Sequence, residues 1–260
     1  MAACFSCYDN TGIHVYNDGK LVYWISLAGN ISSASYNCAA SATARPSITN
    51  ETVGKSLNFS GSQGLISNYL NITYTGNLFT LTCFVLLKYN IANTSATSMQ
   101  TGISFDAGSY GRCFQAVDNR DGTSTSNSTY GPALFVGTTD GYVKRFRNNN
   151  GTGTPIQLAA NTWYLVMFSY TPSETEYCFM ANAYVDGKKV INNQRCYDQS
   201  GVLYGSIGCK NSSTIGFPEN GFNGRIAEVL FYSRGLNDNE RIKVETYFKN
   251  KWDLPFSYTG

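Results

Sequence analysis

The stretch that decides the fold is Asn220–Pro255, which reads NGFNGRIAEVLFYSRGLNDNERIKVETYFKNKWDLP. Its second half carries the signals of one helix. Asn237 is a suitable N-cap, and Glu240 three residues later completes a capping box, because the two residues satisfy amide donors of the first turn. Pro255 prevents further continuation. The sequence therefore predicts a helix over about residues 238–252.

The predicted helix has one apolar side. Val244, Phe248 and Trp252 recur every four residues and form a single stripe on a charged rod. The residues expected in water are Lys243, Glu245 and Lys249. A helix of about four turns with one stripe is marginal alone. It is therefore predicted to pack on a larger element.

The rest of the chain is typical of strands. Of 260 residues, 42% are hydrophobic and 14% charged, and there are 19 Tyr and 15 Phe. Aromatic and β-branched runs at 79–87, 164–170 and 226–232 are separated by Gly, Asn, Ser or Pro clusters. No linker or fixed repeat divides the chain. We expect one all-β domain over residues 1–260.

Several segments occur in a distinctive order. They are NDGKLVYWISLAGN (17–30), ARPSI (44–48), SLNFSGSQGLIS (56–67), NTWYLVMFSY (161–170), YVDGKKV (184–190) and the closing strand and helix. Each motif alone is weak, but the collinear set resembles the laminin-G-like, concanavalin-A-like jelly-roll family, in the form found in bacterial, phage and large-virus proteins. The resemblance implies two antiparallel sheets packed face to face, with the C-terminal helix laid on the sandwich.

Eight cysteines require a structural role. If residues 186–188 form a hairpin loop, Val185 faces Lys189, and counting outward places Cys178 opposite Cys196. A cross-strand disulfide between Cys178 and Cys196 is then predicted.

The other six cysteines leave alternatives open. A C-x-x-C at Cys4 and Cys7 is compatible with a zinc or redox site, but no second C-x-x-C exists, and disulfides to Cys38 or Cys209 are the favoured interpretation. Cys83 and Cys113 are a candidate inter-strand pair. Buried, reduced cysteines throughout are the alternative.

Disulfides would indicate an oxidising destination. The N-terminal MAACFSCYDNTG lacks the features of a secretory signal, so we expect either a processed form or oxidation outside the secretory route, as on a virion. Asn58 lies in an apparent strand and is a poor glycosylation site. The candidate glycosylation sites are Asn30, Asn50, Asn71, Asn93, Asn127, Asn150 and Asn211.

The sequence offers little material for catalysis. Glucanases that share this sandwich carry E-x-D-x-E or E-x-D-x-x-E on one strand, and neither string occurs in this chain. Glu228 is a single strand carboxylate, interpreted as bonded to a neighbouring helix or loop. His14 is the only histidine. We therefore expect no enzymatic activity.

A binding role remains. The net charge of +2 gives no nucleic-acid footprint, and no run is long enough for membrane insertion. Polar loops resemble the Asp/Asn-rich loops that hold calcium and sugars in relatives, with an ordinary turn as the alternative. The candidate carbohydrate-binding residues are Asp118, Asn119, Asp121, Tyr142 and Asn149, and the candidate calcium ligands are Asp118 and Asp121.

These observations favour a non-enzymatic surface protein of a virus or phage particle that binds glycans or mediates adhesion, located outside the cell or on the virion. Its partners would be glycans or other surface and capsid proteins. A purely structural capsid or fibre protein without sugar binding is the alternative, and a glycan-cleaving enzyme is a third. Fold alone does not choose among them.

The sequence gives one test of the helix. Replacing Trp252 with Ala should lower the free energy of unfolding by about 3–5 kcal/mol if the apolar stripe is buried. Lys249→Ala should cost less than about 1 kcal/mol. Denaturant unfolding of both variants beside the parent measures the difference, and an unchanged midpoint for Trp252→Ala would show that the helix is not a packing element.

Overall fold

The computed structural model describes residues 3–6, 8, 13–15, 21–24, 38–40, 45–74, 80–90, 100–106, 112–117, 133–137, 143–146, 158–172, 179–196, 201–211, 218–219 and 221–256 of the chain. In chain order the strands are β1 (Ala3–Ser6), β2 (Ile13–Val15), β3 (Leu21–Trp24), β4 (Cys38–Ala40), β5 (Ser47–Asn50), β6 (Lys55–Ser60), β7 (Leu65–Tyr74), β8 (Leu81–Tyr89), β9 (Gln100–Asp106), β10 (Arg112–Val117), β11 (Ala133–Gly137), β12 (Val143–Phe146), β13 (Trp163–Pro172), β14 (Phe179–Val185), β15 (Lys188–Cys196), β16 (Gly201–Ile207), β17 (Lys210–Asn211), β18 (Pro218–Glu219) and β19 (Asn223–Tyr232). The helix α1 spans Asp238–Trp252.

Two antiparallel sheets form the body of the fold. The helix-side sheet has the strand order β15-β14-β13-β8-β19-β6-β5, with β1 paired to the second half of β19. The far sheet has the order β12-β11-β10-β9-β16-β7-β4-β3-β2, and β17 and β18 form a small separate ladder. The predicted fold class is confirmed: the chain is an all-β, two-sheet antiparallel sandwich with one C-terminal helix packed on it.

The central strand β8 is buried on both of its faces. Successive side chains alternate between the faces of a strand. Phe84 and Leu86 pack in an apolar cluster with Phe248 and Trp252 of α1, whereas Cys83, also buried, points to the opposite face between the sheets. The helix therefore covers apolar sheet surface, as the sequence predicted.

The helix begins as the capping signals predict. The Asn237 side chain accepts a hydrogen bond from the Glu240 amide (2.9 Å), and the Glu240 carboxylate accepts one from the Asn237 amide (3.1 Å). Asp253 closes the other end in the left-handed conformation, with φ 50°. Arg234 adds two hydrogen bonds to Glu240, at 2.7 and 2.8 Å, and these hold the pKa of Glu240 at about 2.

The buried side of the helix contains a carboxylate that was predicted to be exposed to solvent. Phe248 and Trp252 are buried and Val244 is half-buried, as predicted, but Glu245 is only 1% exposed. The prediction for Glu245 was wrong because Arg241, one turn earlier, neutralises it with hydrogen bonds of 2.7 and 2.9 Å. A carboxylate with such a partner can be buried.

A β-bulge places a second carboxylate beneath the helix. Ile226 pairs with Leu87 of β8, whereas Glu228 pairs with Leu86, so Ala227 is an extra residue in β19. Glu228 consequently shares the face of Leu86 and points to α1. It is fully buried, and its oxygens accept hydrogen bonds from Tyr247 Oη (2.6 Å), Lys251 Nζ (3.0 Å) and Trp252 Nε1 (2.5 Å).

The hairpin between β14 and β15 differs from the prediction by one residue. Val185 pairs with Lys188, not Lys189, because the turn contains only Asp186 and Gly187, at φ 48° and 76°. These positive φ values are typical of a two-residue type I′ turn. Two register shifts follow along the ladder, so that Phe179 lies opposite Cys196. The predicted register of Cys178 and Cys196 was therefore wrong, and Cys178 itself lies outside the described residues.

Two other cysteine predictions were also wrong. Cys83 and Cys209 are buried free thiols, and burial raises the pKa of Cys209 to about 12 and that of Cys83 well above its ordinary value. The free thiol of Cys83 contradicts the predicted Cys83–Cys113 bond, and the two residues are not cross-strand neighbours, since β8 and β10 belong to different sheets. Cys4 lies in β1 opposite Leu230 and Cys38 in β4 opposite Trp24, whereas Cys7 lies outside the described residues. The alternative of buried reduced cysteine is correct for Cys83 and Cys209.

The bonds to Glu228 generate a stability prediction. Glu228→Gln keeps the side-chain size but removes the charge, so it should lower the free energy of unfolding by about 1.5–3 kcal/mol. Asp253→Asn makes the same charge change at the exposed end of the same helix and should cost less than about 0.5 kcal/mol. Denaturant unfolding compares the two variants, and equal midpoints would contradict an anchoring role for Glu228.

The hairpin turn generates a pH prediction. Burial raises the pKa of Asp186 from 3.8 to about 6, against the opposing hydrogen bond from the Leu165 amide. The folded state then binds a proton more readily than the unfolded state, so stability should rise by about 1 kcal/mol as pH falls from about 7 to 5. Asp186→Asn keeps an acceptor and tolerates positive φ. Its unfolding midpoint should change less over this interval, and equal slopes for parent and variant would refute the assignment.

Candidate functional site

An open groove of about 340 Å³ lies beside the C-terminal end of α1. It is lined by the 51–53 turn, by residues 161–163 before and at the start of β13, and by 252–255 at the end of the helix, with Leu86 buried beneath. Its volume is at the low end of the range for small-molecule pockets, roughly 300–1,000 Å³. It therefore suits a short ligand.

Close packing sets the position of the first wall. The Glu51 amide donates to the Gly54 carbonyl (3.1 Å), which closes the turn between β5 and β6. Gly54 has φ +70°, and a Cβ there would lie 2.9 Å from the Trp252 ring. Trp252 also meets the Tyr8 ring edge to face at 5.3 Å. Glycine at this position thus lets the turn contact the end of the helix.

The second wall carries two exposed polar side chains and an indole ring. Asn161 adopts φ 59°, and its backbone N–H donates to the Tyr89 carbonyl (2.8 Å), so the chain turns sharply into β13. Asn161 and Thr162 are exposed, and Trp163 is half-buried. An amide, a hydroxyl and an indole ring therefore follow one another along this wall.

Glu51 is the centre of an ionic cluster at the edge of the groove. It accepts hydrogen bonds from Ser56 Oγ (2.6 Å), Lys88 Nζ (2.8 Å) and Arg225 Nη1 (2.9 Å). Burial by itself would raise the pKa of Glu51, but these hydrogen bonds outweigh burial and hold the pKa below its ordinary value. Lys88 Nζ also lies 4.7 Å from the centre of the Trp163 ring. Glu51 is consequently a fixed anion.

The cluster continues as a row of polar residues across the helix-side sheet. Directly paired neighbours run from β13 to β5, and we call this set the polar row. Its members are Trp163, Lys88, Arg225, Asn58 and Ser47. All five are half-buried. At about 4.8 Å per strand the row spans roughly 19 Å, so it extends the groove into a longer surface.

The same sheet face changes character where α1 ends. Leu86 lies under the helix, whereas Lys88, two residues further along β8, belongs to the polar row. Asn90, two residues further again, donates to the side chains of Asn58 and Asn223, both at 3.2 Å. The uncovered part of the face is therefore lined with hydrogen-bonding groups.

The structure leaves the sequence-predicted sugar and calcium site untested. The candidate residues that lie outside the described part are Asp118, Asn119, Asp121, Tyr142 and Asn149, together with the sequons at Asn30, Asn93, Asn127 and Asn150. Asn50 is exposed at the end of β5, Asn71 lies in β7 and Asn211 in β17. Asn58 lies in β6, where a glycan was not expected.

The groove residues were missed in the sequence. Trp163 was interpreted only as part of a strand motif, and Glu51 belongs to a sequon whose Asn was the residue of interest. The one local signal is Asn161, because Asn before a strand often adopts positive φ at a sharp turn. Nothing local points to Glu51, because its partner Arg225 is 174 residues away.

Two features of the described residues concern metal binding and membrane insertion. They contain no group of three or more His, Cys, Asp or Glu side chains able to hold a metal ion. Within them, no helix has the length and apolarity needed to cross a bilayer.

Comparison with known proteins gives the fold but no family. No family model matches the chain, and no curated protein matches it. Among solved structures, domain 4 of AbnA, a GH43 extracellular arabinanase from Geobacillus stearothermophilus in complex with arabinotriose, aligns with a TM-score of 0.57 and 13% identity, covering 94% of this chain and 97% of that one.

Two further structures are similar over much of this chain. The botulinum neurotoxin type G receptor binding domain aligns with a TM-score of 0.51 and 13% identity, covering 95% of this chain but 51% of that one. Trypanosoma rangeli sialidase in complex with sialic acid aligns with a TM-score of 0.52 and 12% identity, covering 97% of this chain and 33% of that one. The chain thus spans about half and one third of these proteins. At such identities the likeness concerns the fold alone.

Proposed function

We propose that the protein is a non-catalytic glycan-binding module that acts outside the cell, with the groove at the end of α1 as its sugar site. The observation that carries the proposal is the convergence of the Trp163 ring, the exposed Asn161 amide and the fixed Glu51 carboxylate on one groove. Sugar rings offer apolar C–H faces to an aromatic ring and hydroxyl groups to amides and carboxylates.

The charge state of the groove favours binding over hydrolysis. A glycosidase needs a carboxylic acid of raised pKa to protonate the leaving group. Glu51 lines the groove, but its pKa lies below the ordinary value because three donors hold its carboxylate. Asp253, the other carboxylate there, is exposed at the helix end. We therefore assign these groups to ligand contacts.

Two similarities support the proposal. The arabinanase domain, which this chain matches over nearly its whole length, is described in complex with arabinotriose. The order of the sequence motifs also resembles sandwich proteins of phages and large viruses. We accordingly propose adhesion from a virus or phage particle as the setting, with host or surface glycans as partners and with Asp118 and Asp121 as calcium ligands.

Asn161 gives a clean test of the site. Asn161→Gly removes the amide but tolerates φ 59°. On a glycan array, the parent should bind a defined set of sugars, and Asn161→Gly should bind them about 2- to 10-fold more weakly, the range for one neutral hydrogen bond. Trp163→Ala should lose at least about tenfold, because buried aromatic anchors dominate binding.

A matched control is available in the same molecule. Asn193 also has positive φ (43°), is exposed and lies in β15. Asn193→Gly should therefore bind like the parent. A parent that binds no sugar on the array would overturn the proposal, as would variants Asn161→Gly and Trp163→Ala that keep full binding.

A further inference from the structure

Three asparagines lie side by side at the ends of neighbouring strands next to the groove. The Asn161 backbone N–H donates to the carbonyl of Tyr89, the residue before Asn90, and the Asn90 backbone N–H donates to the Asn223 carbonyl (3.2 Å). We call Asn161, Asn90 and Asn223 the asparagine ladder. Asn161 lines the groove. The ladder therefore begins in the proposed sugar site and leads away from it across the helix-side sheet.

Buried aromatic rings fix the direction in which the ladder side chains point. Tyr89 and Phe222, the chain neighbours of Asn90 and Asn223, are fully buried between the sheets, with ring centres 5.4 Å apart. Successive side chains alternate between the two faces of a strand. Asn90 and Asn223 therefore point the opposite way, out of the sandwich, on the same sheet face as Lys88.

Asn58 of the polar row joins the ladder through the Asn90 side chain. Asn90 Nδ2 donates to Asn58 Oδ1 and to Asn223 Oδ1, both at 3.2 Å, so one amide holds the two others in place. Among the described residues Asn58 Nδ2 has no hydrogen-bond partner, and this atom is not fully buried. An amide NH2 group is a double donor. Asn58 thus presents donors to solvent from a fixed position.

The ladder presents uncharged groups beside charges that are already paired. Glu51 binds Lys88 at 2.8 Å and Arg225 at 2.9 Å, so both cations next to the ladder have an anionic partner within the protein. The groups left for a ligand here are amides, which bond hydroxyls both as donors and as acceptors. This chemistry matches a neutral sugar better than an acidic one.

We infer that the site takes a linear, neutral oligosaccharide, with one sugar in the groove against Trp163 and the following sugars along the asparagine ladder as far as Asn58. From β13 to β6 this path crosses three strand spacings, roughly 14 Å. A single sugar in the groove would leave the ladder unused. Because the amides already hold one another in place, binding would cost little further side-chain entropy. The inference rests on the proposed function and names its ligand class.

The test measures how affinity changes with the length of the sugar chain. Titration calorimetry of the full chain uses neutral linear arabino-, gluco-, galacto- and manno-oligosaccharides, each from the single sugar to the hexamer, with a galacturonate series as the acidic arm. At least one neutral hexamer should bind about 5- to 100-fold more tightly than its single sugar, the gain from two further neutral hydrogen bonds. Affinity that does not rise with length, or binding of the galacturonate series alone, would overturn the inference.

Asn58→Ala tests the far end of the path. It should weaken binding of the hexamer about 2- to 10-fold, the range for one neutral hydrogen bond, and leave single-sugar binding unchanged, because Asn58 does not line the groove. Asn192→Ala removes the same side chain from an exposed position in β15, at the other edge of the sheet, and should bind like the parent. Equal length dependence for Asn58→Ala and the parent would refute the role of the ladder.

Single-sugar binding separates this inference from the proposed function. An Asn58→Ala protein that still binds the single sugar is folded, so a loss confined to the hexamer cannot come from unfolding. An unchanged thermal unfolding midpoint gives the same control. If Trp163→Ala abolishes binding of the single sugar while the parent gains nothing with length, the groove stands and the ladder fails. A parent that binds no sugar of any length would refute both proposals.

Discussion

The buried carboxylate of Glu228 is the contact on which the arrangement of the helix and the groove depends. A carboxylate inside an apolar layer is unfavourable unless its oxygens are fully bonded. Tyr247, Lys251 and Trp252 supply those bonds from the last two turns of α1. The helix can therefore satisfy Glu228 in only one rotation and one axial position. Apolar packing alone would tolerate several positions.

The position of α1 in turn builds the groove. Trp252 donates to Glu228, contacts Tyr8 and lies against Gly54 of the 51–54 turn. The same turn presents Glu51 to Lys88 on the sheet. A buried ion pair contributes little net stability when compared with apolar side chains of the same size, but it penalises alternative arrangements. The ionic groups here thus define geometry, while the apolar cluster supplies most of the stability.

Local signals in the sequence predicted the fold correctly, whereas contacts between distant segments could not be predicted from it. The capping box at Asn237 and Glu240 operates within one turn, so the helix boundaries could be deduced. Arg241 and Glu245 have the i,i+4 spacing that predicts an ion pair, but Glu245 was misplaced because its burial depends on contacts with the sheet, such as the Tyr184 ring beneath Arg241. Sequence spacing can pair two charges on a helix, but it does not show whether a sheet covers the pair.

The predictions for the hairpin register and for the groove residues failed for related reasons. A register prediction assumes unbroken pairing, and the register shifts between Ala181 and Tyr184 break it. A bulge depends on tertiary packing and has no fixed motif. The groove likewise joins segments near residues 51, 161 and 253 that no sequence spacing connects. Which residues meet across one sheet face can be deduced only when the strand order is known.

The end of the helix determines how much of that sheet face remains uncovered. Asp253 turns the chain in the left-handed conformation, and Leu254 folds back into the apolar cluster. Another helical turn would extend about 5.4 Å further along the sheet. It would continue in the direction in which Leu86 gives way to Lys88 and would cover part of the polar row. The C-terminal cap that terminates α1 therefore also leaves the polar row uncovered, so the length of the helix determines how much of this sheet face stays open.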